Sequence, residues 1–326
     1  MKLKFVNHSL CVALLGATGL LSGCSVFEDL EPCRNNAQVR LRYTRNMAGQ
    51  DRYDSDVHCS RVLIYDADGN YLSTHTPDGA NVDIPLLEGN YHLIAFGGMH
   101  CEESSFAFNL DAAQTHNYFD LVSELGGARA AVTESASPLH SHFQATADFS
   151  MQNLEGAHVP VEVDLTKNTN HITVEMATKD VPITAGAYTA TITADNAVIS
   201  HDGKIAKQTT PVTYRPYGKA MATLSYSDGK QVPCISEEFD LSIIDEQNPT
   251  VLRVYAPDGS LVLTQQLLPL FEKAREQELP AAEMREYLDR QDNWVVQLTN
   301  LDPGNGYTGV KVSINGWVIV NNKFEF

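Results

Sequence analysis

From residue 36 onward the apolar residues come in short runs. Many alternate with polar residues or are rich in β-branched side chains, and Gly, Pro, Asn and Asp break them up. Val39 to Tyr43, Arg61 to Tyr65, Tyr71 to Thr74, Val82 to Leu86 and Tyr91 to Phe96 read as strands. After His158 the signal returns in Val159 to Leu165, His171 to Met176, Ala187 to Ala194, Val212 to Tyr214 and Ala222 to Tyr226. It continues in Phe239 to Ile244, Val251 to Tyr255 and Leu261 to Gln265. Residues 103 to 153 carry a weaker pattern, with a helical turn expected near Tyr118 to Leu125. One stretch, Gln266 to Asp292, breaks the β pattern: Leu267, Leu270, Phe271 and Ala274 have helical spacing, and Pro280 separates them from a second turn with Met284, Tyr287 and Leu288. Strands resume at Trp294 to Thr299 and Val310 to Val320. So many short strands predict a mainly β chain of two β-sandwich domains in tandem, at 36–157 and 158–326, with a short helical insertion in the second.

Asp66-Ala67-Asp68-Gly69-Asn70 has the look of a calcium loop but lacks the glutamate at its twelfth position. Between Val62-Leu63-Ile64-Tyr65 and Tyr71-Leu72 it reads as a hairpin turn, with Gly69 supplying a positive φ. Tyr255-Ala256-Pro257-Asp258-Gly259 repeats the Tyr and Asp-Gly order 190 residues later, which suggests two related domains. A second shared element, Gly89-Asn90-Tyr91 and Gly186-Ala187-Tyr188, falls in a different order relative to the hairpin.

The N-terminus sets the compartment. Lys2 and Lys4 precede an apolar run from Leu10 to Leu21, too short to span a bilayer, which reads as a secretory signal over 1–23. Its end, Leu21-Ser22-Gly23-Cys24, resembles the lipobox of bacterial lipoproteins, which makes Cys24 the expected lipidation site and 24–35 a tether. Glu28 and Asp29 in that tether resemble a surface-export signal of Bacteroidetes lipoproteins. With Ser25 after the cysteine, the expectation is a lipid-anchored protein of the cell outer membrane facing outward. The 326-residue chain has 23 basic and 41 acidic residues, a formal charge of −18. Without Lys2 and Lys4 the exported chain keeps 21 basic groups against all 41 acids. That balance argues against nucleic acid as a partner.

Cys11 leaves with the signal and Cys24 takes the lipid. Cys33, Cys59, Cys101 and Cys234 remain for disulfides in an oxidising compartment, with three pairings open. His58-Cys59 and His100-Cys101 offer a zinc alternative, but neighbouring side chains on a strand point to opposite faces. Cys59 and Cys101 border strands that antiparallel pairing would bring together, so that pair is the expected bridge; Cys33 with Cys234 is the leftover. His140 and His142 could share one strand face as metal ligands, yet Ser-Pro-Leu-His-Ser-His-Phe reads as a solvated polar loop. There is no Gly-x-Ser-x-Gly, His-Glu-x-x-His or phosphate-binding glycine loop, so no catalytic residue, metal site, cofactor or small-molecule substrate is assigned.

These residues together carry a resemblance. Cys24 with Glu28-Asp29-Leu30-Glu31-Pro32-Cys33, then Val57 through Gly69, then Leu87 through Gly98 with Cys101 and Ser104-Ser105-Phe106, resemble the first domain of the FimB-type fimbrial anchor lipoproteins of Bacteroidales. Lys167-Asn168-Thr169-Asn170-His171-Ile172, Tyr287-Leu288-Asp289-Arg290 and Ile314-Asn315-Gly316-Trp317 resemble the second. The resemblance implies a base subunit of type V pili, with two transthyretin-like sandwiches of about seven strands each. Such a subunit attaches fimbriae to the outer membrane, limits their length and is not an enzyme. The alternative is a surface lipoprotein binding glycan or host protein. For an anchor, the partner is a fimbrillin stalk subunit. Trp317, Phe324 and Phe326 in the apolar C-terminal strand are the candidate contacts, since aromatics at a free chain end suit a partner better than solvent.

Overall fold

The computed structural model describes residues 35–98, 104–109, 117–126, 132–152, 158–178, 183–206, 211–225, 229–301 and 310–321. In chain order they begin with β1 (Asn35–Arg42), the single turn α1 (Tyr53–Asp56), β2 (Ser60–Asp66), β3 (Tyr71–His75), β4 (Asn81–Leu86) and β5 (Gly89–Gly97). Next come β6 (Phe106–Phe108), β7 (Val122–Leu125), β8 (Glu134–Ser135), β9 (Phe143–Met151), β10 (His158–Asp164) and β11 (Thr166–Lys167). The remainder is β12 (Thr169–Thr178), β13 (Thr189–Ala194), β14 (Val198–Ser200), β15 (Val212–Tyr214), β16 (Gly218–Ser225), β17 (Gln231–Ser242), β18 (Thr250–Tyr255) and β19 (Leu261–Gln266). Helices α2 (Leu268–Glu278) and α3 (Met284–Arg290) follow, then β20 (Asn293–Leu301), β21 (Lys311–Ile314) and β22 (Trp317–Asn321).

Two sandwiches result, as the sequence predicts. In the first, the sheets β10-β1-β4 and β11-β9-β5-β2-β3 enclose a core that includes Val39, Leu41, Val62, Ile64, Leu93 and Phe143. In the second, β16-β17-β12-β20-β21-β22 faces β19-β18-β13-β15-β8 across Ile172, Val174, Ile192, Phe239, Leu252 and Val296. Each holds more strands than about seven, because short segments from elsewhere in the chain join the edges. Helices α2 and α3 cover Trp294: Phe271 stacks on it at 3.8 Å between ring centroids and Tyr287 meets it edge-on at 5.5 Å. The indole N–H donates to Asn170 Oδ1 at 3.2 Å, so a large ring is buried without an orphan donor.

Chain order and domain membership part company in the middle. The strand at 158–164, expected to open the second sandwich, pairs in parallel with β1 in the first, with Val39 opposite Val161. Conversely β8 joins the second sandwich by pairing in parallel with β15. Between them β6, β7 and β14 form a small third sheet in the order β14-β7-β6. The expected helical turn shrinks to a 3-10 turn at Tyr118–Asp120, and Val122 to Leu125 is strand. Extended geometry there lets Leu125 enter the second core while Leu121 packs with Leu63, Tyr65, Ile94 and Phe96 on the far face of the first sandwich's larger sheet.

Both Asp-Gly segments are hairpin turns, and the same one. Asp66 N–H donates to Asn70 O and Gly69 N–H to Asp66 O at 2.9 and 3.0 Å; Ala256 donates to Ser260 and Gly259 to Ala256, each at 2.9 Å. Gly69 and Gly259 have φ of +83° and +82°, a region that a side chain at Cβ disfavours. Both hairpins carry a register shift just before the turn, at Ile64/Tyr65 and at Val254/Tyr255. The spatial orders β9-β5-β2-β3 and β15-β13-β18-β19 match, with antiparallel neighbours throughout. The two sandwiches thus share a sheet layout through a permuted strand order, which accounts for the glycine-tyrosine segments on β5 and before β13 lying on opposite sides of the hairpin in sequence.

The loop with His140 and His142 is solvated only at its start: Ser137 and Pro138 are exposed, His140 is half-buried and His142 lies inside. His142 is fully buried, with Phe106, Phe108 and Phe96 around it at ring-centroid distances of 4.7, 5.6 and 6.1 Å. Burial pushes its pKa down to about 3, offset only in part by Gln144. An unfolded histidine takes its proton near pH 6.5, so between those values the unfolded state binds more protons and stability falls as pH falls. Lowering the pH from 7 to 5 should cost on the order of 2 kcal/mol through this residue alone. His142→Phe should show a smaller drop in melting temperature over that interval than the parent, measured by circular dichroism; an equal drop in both proteins would exclude His142 as the source.

Glu237 is a second buried ionisable group, 0% exposed. Its Oε1 meets Lys219 Nζ at 2.7 Å and its Oε2 accepts from Ala190 N–H at 2.7 Å, tying β17 to β16 and across the core to β13. Lys219→Met should destabilise the chain by about 3 kcal/mol, the low end for a broken buried pair because Lys219 itself is partly exposed. Urea unfolding measures this, and the Lys219→Met, Glu237→Leu double variant should recover part of the loss.

Candidate partner-binding surfaces

Of the residues singled out by sequence, Cys24, Cys33, Cys101, Phe324 and Phe326 lie outside the described residues. Cys59 and Cys234 belong to different sandwiches. Cys59 is disulfide-bonded, which leaves it no thiolate to offer a zinc ion. Cys234 is free and 0% exposed on β17, packed with Ala177 and Leu224. The leftover pairing of Cys33 with Cys234 is therefore corrected: Cys234 is a free thiol whose side chain is sealed in an apolar cluster. The same burial raises the Cys234 thiol to about 11 and keeps it protonated.

Trp317, the one candidate contact among the described residues, lies on the surface. The apolar alternation of Val310, Val312 and Ile314 is core, all three 0–1% exposed, whereas Trp317 and Val318 are 44% and 64% exposed. Asn315-Gly316 separates the two regimes as a two-residue hairpin turn with φ of +49° and +86°, the Asn-Gly signature flanked by apolar strands. Asn315 also locks the turn onto β20, its Oδ1 accepting from Val295 N–H at 2.9 Å and its N–H donating to Val295 O at 2.9 Å. Among the described residues this leaves β22 as the edge of the six-stranded sheet, paired with β21. An edge strand has unpaired backbone groups on one side, so this one offers a hydrogen-bonding template with an indole on it. The other tryptophan, Trp294, is core.

A cleft of about 350 Å³ runs between the sandwiches, and charge pairs span it. Arg45 reaches Asp289 on α3 at 3.6 Å, Arg285 meets Asp245 at 3.2 Å and also pairs with Asp289, and Lys167 meets Asp292 at 2.5 Å. On the first sandwich Arg42 holds Asp164 through two nitrogens at 3.1 and 2.9 Å, which keeps that carboxyl below its ordinary value. Most charges here already have a partner, so the cleft acts as a joint between domains. Sequence reading missed Arg45 with Asp289, Arg285 with Asp245 and Lys167 with Asp292 because their members lie far apart in the chain. Tyr287-Leu288-Asp289-Arg290 stood out as a motif, yet no local signal linked Asp289 to Arg45.

Among the described residues no three His, Cys, Asp or Glu side chains converge as metal ligands, and no helix is long and apolar enough to cross a membrane.

Comparison with known proteins places this architecture. No curated protein matches the chain. A putative adhesin from Bacteroides thetaiotaomicron superposes with a TM-score of 0.75 at 25% identity, covering 90% of this chain and 100% of that one. A structure from the same organism described as a putative polysaccharide binding protein gives 0.73 at 17%, covering 89% and 99%. The fimbrial anchor protein Mfa2 from Porphyromonas gingivalis gives 0.65 at 16%, covering 89% and 100%. The sequence profile described as "Mfa2: Fimbrillin-A associated anchor proteins Mfa1 and Mfa2" matches residues 30–323, most of the chain. With the double sandwich and the motif resemblance in agreement, the chain belongs to the family of fimbrillin-A associated anchor proteins.

Proposed function

We propose that this protein is a lipid-anchored base subunit that attaches fimbriae to the outer membrane and limits their length. The observation that carries the reading is the match of the anchor-family profile across 30–323, directly after an N-terminal segment ending in Leu21-Ser22-Gly23-Cys24. Family membership makes it a fimbria-associated subunit of the cell surface; the lipid at Cys24 explains how one end is held, and β22 offers the other contact. In this reading Trp317 and Val318, with the chain through Phe324 and Phe326, engage a fimbrillin stalk subunit by strand addition at an open sheet edge.

Cys24→Ala should move the protein from the membrane fraction to the soluble fraction, and intact-mass analysis of the native mature N-terminus should show acyl chains. An unacylated native N-terminus would sink the lipid anchor. Deleting residues 321 to 326, or replacing Trp317 with Ser, should leave the melting temperature within about 2 °C of the parent while fimbriae are shed into the medium. Normal retention of fimbriae by a stable truncated protein would refute the C-terminal contact.

For the disulfide of Cys59, the supporting geometry favours Cys101. Gly98 N–H donates to Cys59 O at 3.0 Å and Ser60 lies opposite Gly97, so a residue three positions beyond Gly98 is within reach of Cys59. The loop so closed, of roughly 40 residues, would contribute about 4 kcal/mol in the chain-entropy estimate. Peptide mapping without reduction should recover a Cys59–Cys101 peptide; a Cys33–Cys59 peptide would contradict the pairing.

A further inference from the structure

The outer face of the second sandwich's five-stranded sheet holds a groove of about 620 Å³. Its floor follows from strand register. On β13, Ala190, Ile192 and Ala194 point into the core, so Thr189, Thr191 and Thr193 point out as a ladder along the groove. Directly across on β18, Thr189 faces Tyr255 and Thr191 faces Arg253; on the other side Thr193 faces Thr213 of β15, and Arg215 follows beyond it. Thr191 is only 7% exposed although it belongs to the outward set, so it lies deep in the groove.

The charge of this lining opposes that of the protein. In a chain of formal charge −18, the groove is lined by Arg215, Lys219 and Arg253 and by no aspartate or glutamate. Lys219 is occupied by Glu237 beneath it and also donates to Tyr188 O at 2.6 Å. Arg215 is paired at 2.7 Å with Glu134, but both side chains are about half exposed, and such pairs exchange readily for a ligand carboxylate. Arg253 has no carboxylate within ion-pair distance among the described residues. Its Nη1 donates to Thr193 Oγ1 at 3.0 Å, which holds the guanidinium over the threonine ladder.

We propose that this groove binds an acidic saccharide, its carboxylate taken by Arg253 and Arg215 and its hydroxyls by the threonine ladder. Two features select this ligand over an acidic peptide. The groove lies on the face of the sheet, where β13 is already paired on both edges, so a peptide backbone finds no open ladder to join. The lining also offers no Leu, Ile, Val, Met or Phe pocket for peptide side chains, whereas hydroxyls and guanidinium groups match a ligand made of hydroxyls and carboxylates. The groove is remote in sequence from both Cys24 and β22, and the proposal stands whether or not the anchor reading does.

The test uses the full mature chain in calorimetric titration with a galacturonic acid trimer, 3′-sialyllactose, a neutral galactose trimer and an Asp/Glu hexapeptide. At least one acidic saccharide should bind and the neutral trimer should not. Raising salt should weaken binding, and Arg253→Gln should reduce affinity about tenfold or more, the loss of a charge-assisted contact, with an unchanged melting temperature. Absence of saturable binding by both acidic saccharides at millimolar concentration would overturn the proposal. So would equal affinity in Arg253→Gln, equal binding of the neutral trimer, or tighter, Arg253-dependent binding of the hexapeptide.

Discussion

The central strands of the first sandwich's larger sheet, β2 and the second half of β5, are buried on both faces, and the arrangement of the two domains depends on them. Along β2, Val62 and Ile64 face one core while Leu63 and Tyr65 face another; along β5, Leu93 and Ala95 alternate with Ile94 and Phe96 in the same way. An antiparallel sheet at the outside of a sandwich ordinarily turns one face to water. Here the second face is covered by Leu121, Phe108 and Tyr118 from the segment that also supplies Phe106 and Leu125 to the second sandwich. Full burial of a side chain such as Leu121 contributes roughly 1.5–3 kcal/mol, and Phe108 and Tyr118 add part of that each, so exposing that face by separating the domains would be costly.

Polar contacts then set the orientation that apolar burial alone leaves loose. Gln144 Nε2 donates to Ser200 O and His201 O at 2.8 and 2.6 Å, and Leu139 N–H donates to Asp240 Oδ2 at 2.9 Å, each crossing from one sandwich or its connecting loop to the other. The charge pairs that cross the cleft, Arg45 with Asp289 and Lys167 with Asp292, add a salt-sensitive seam. A joint held by a two-faced sheet and a charged seam resists hinge motion between the sandwiches. This leaves the far edge, β22, and the outer face of the second sandwich as surfaces available to partners.

The relation between the sandwiches illustrates how far local patterns reach. The Asp66–Asn70 and Ala256–Ser260 turns are equivalent down to their backbone hydrogen bonds and the bulge before them, and that equivalence was legible because turn chemistry is local. The permuted order of the strands beside them was not, since it depends on which distant segment completes each sheet edge.

By itself the sequence determined the strand-rich class, the two turns, the helical pair over 268–290 and the family resemblance, because each rests on residue spacing within a few turns or strands. The Asn315-Gly316 hairpin splits the strand expected over Val310 to Val320; its two-residue signature was present in the sequence, but the continuous apolar pattern masked it. Tertiary structure alone decided the rest. It placed β10 in the first sandwich and β8 in the second, buried His142 among phenylalanines instead of leaving it in a solvated loop, and sealed Cys234 away from any disulfide. It also left Arg253 over a threonine ladder with no carboxylate within ion-pair distance among the described residues. In every one of these cases the deciding neighbours are distant in sequence. A β-strand specifies which faces are apolar, but the hydrogen-bonding edge that joins it to a partner is the same backbone for every residue type, so only the assembled sheet settles which strands meet.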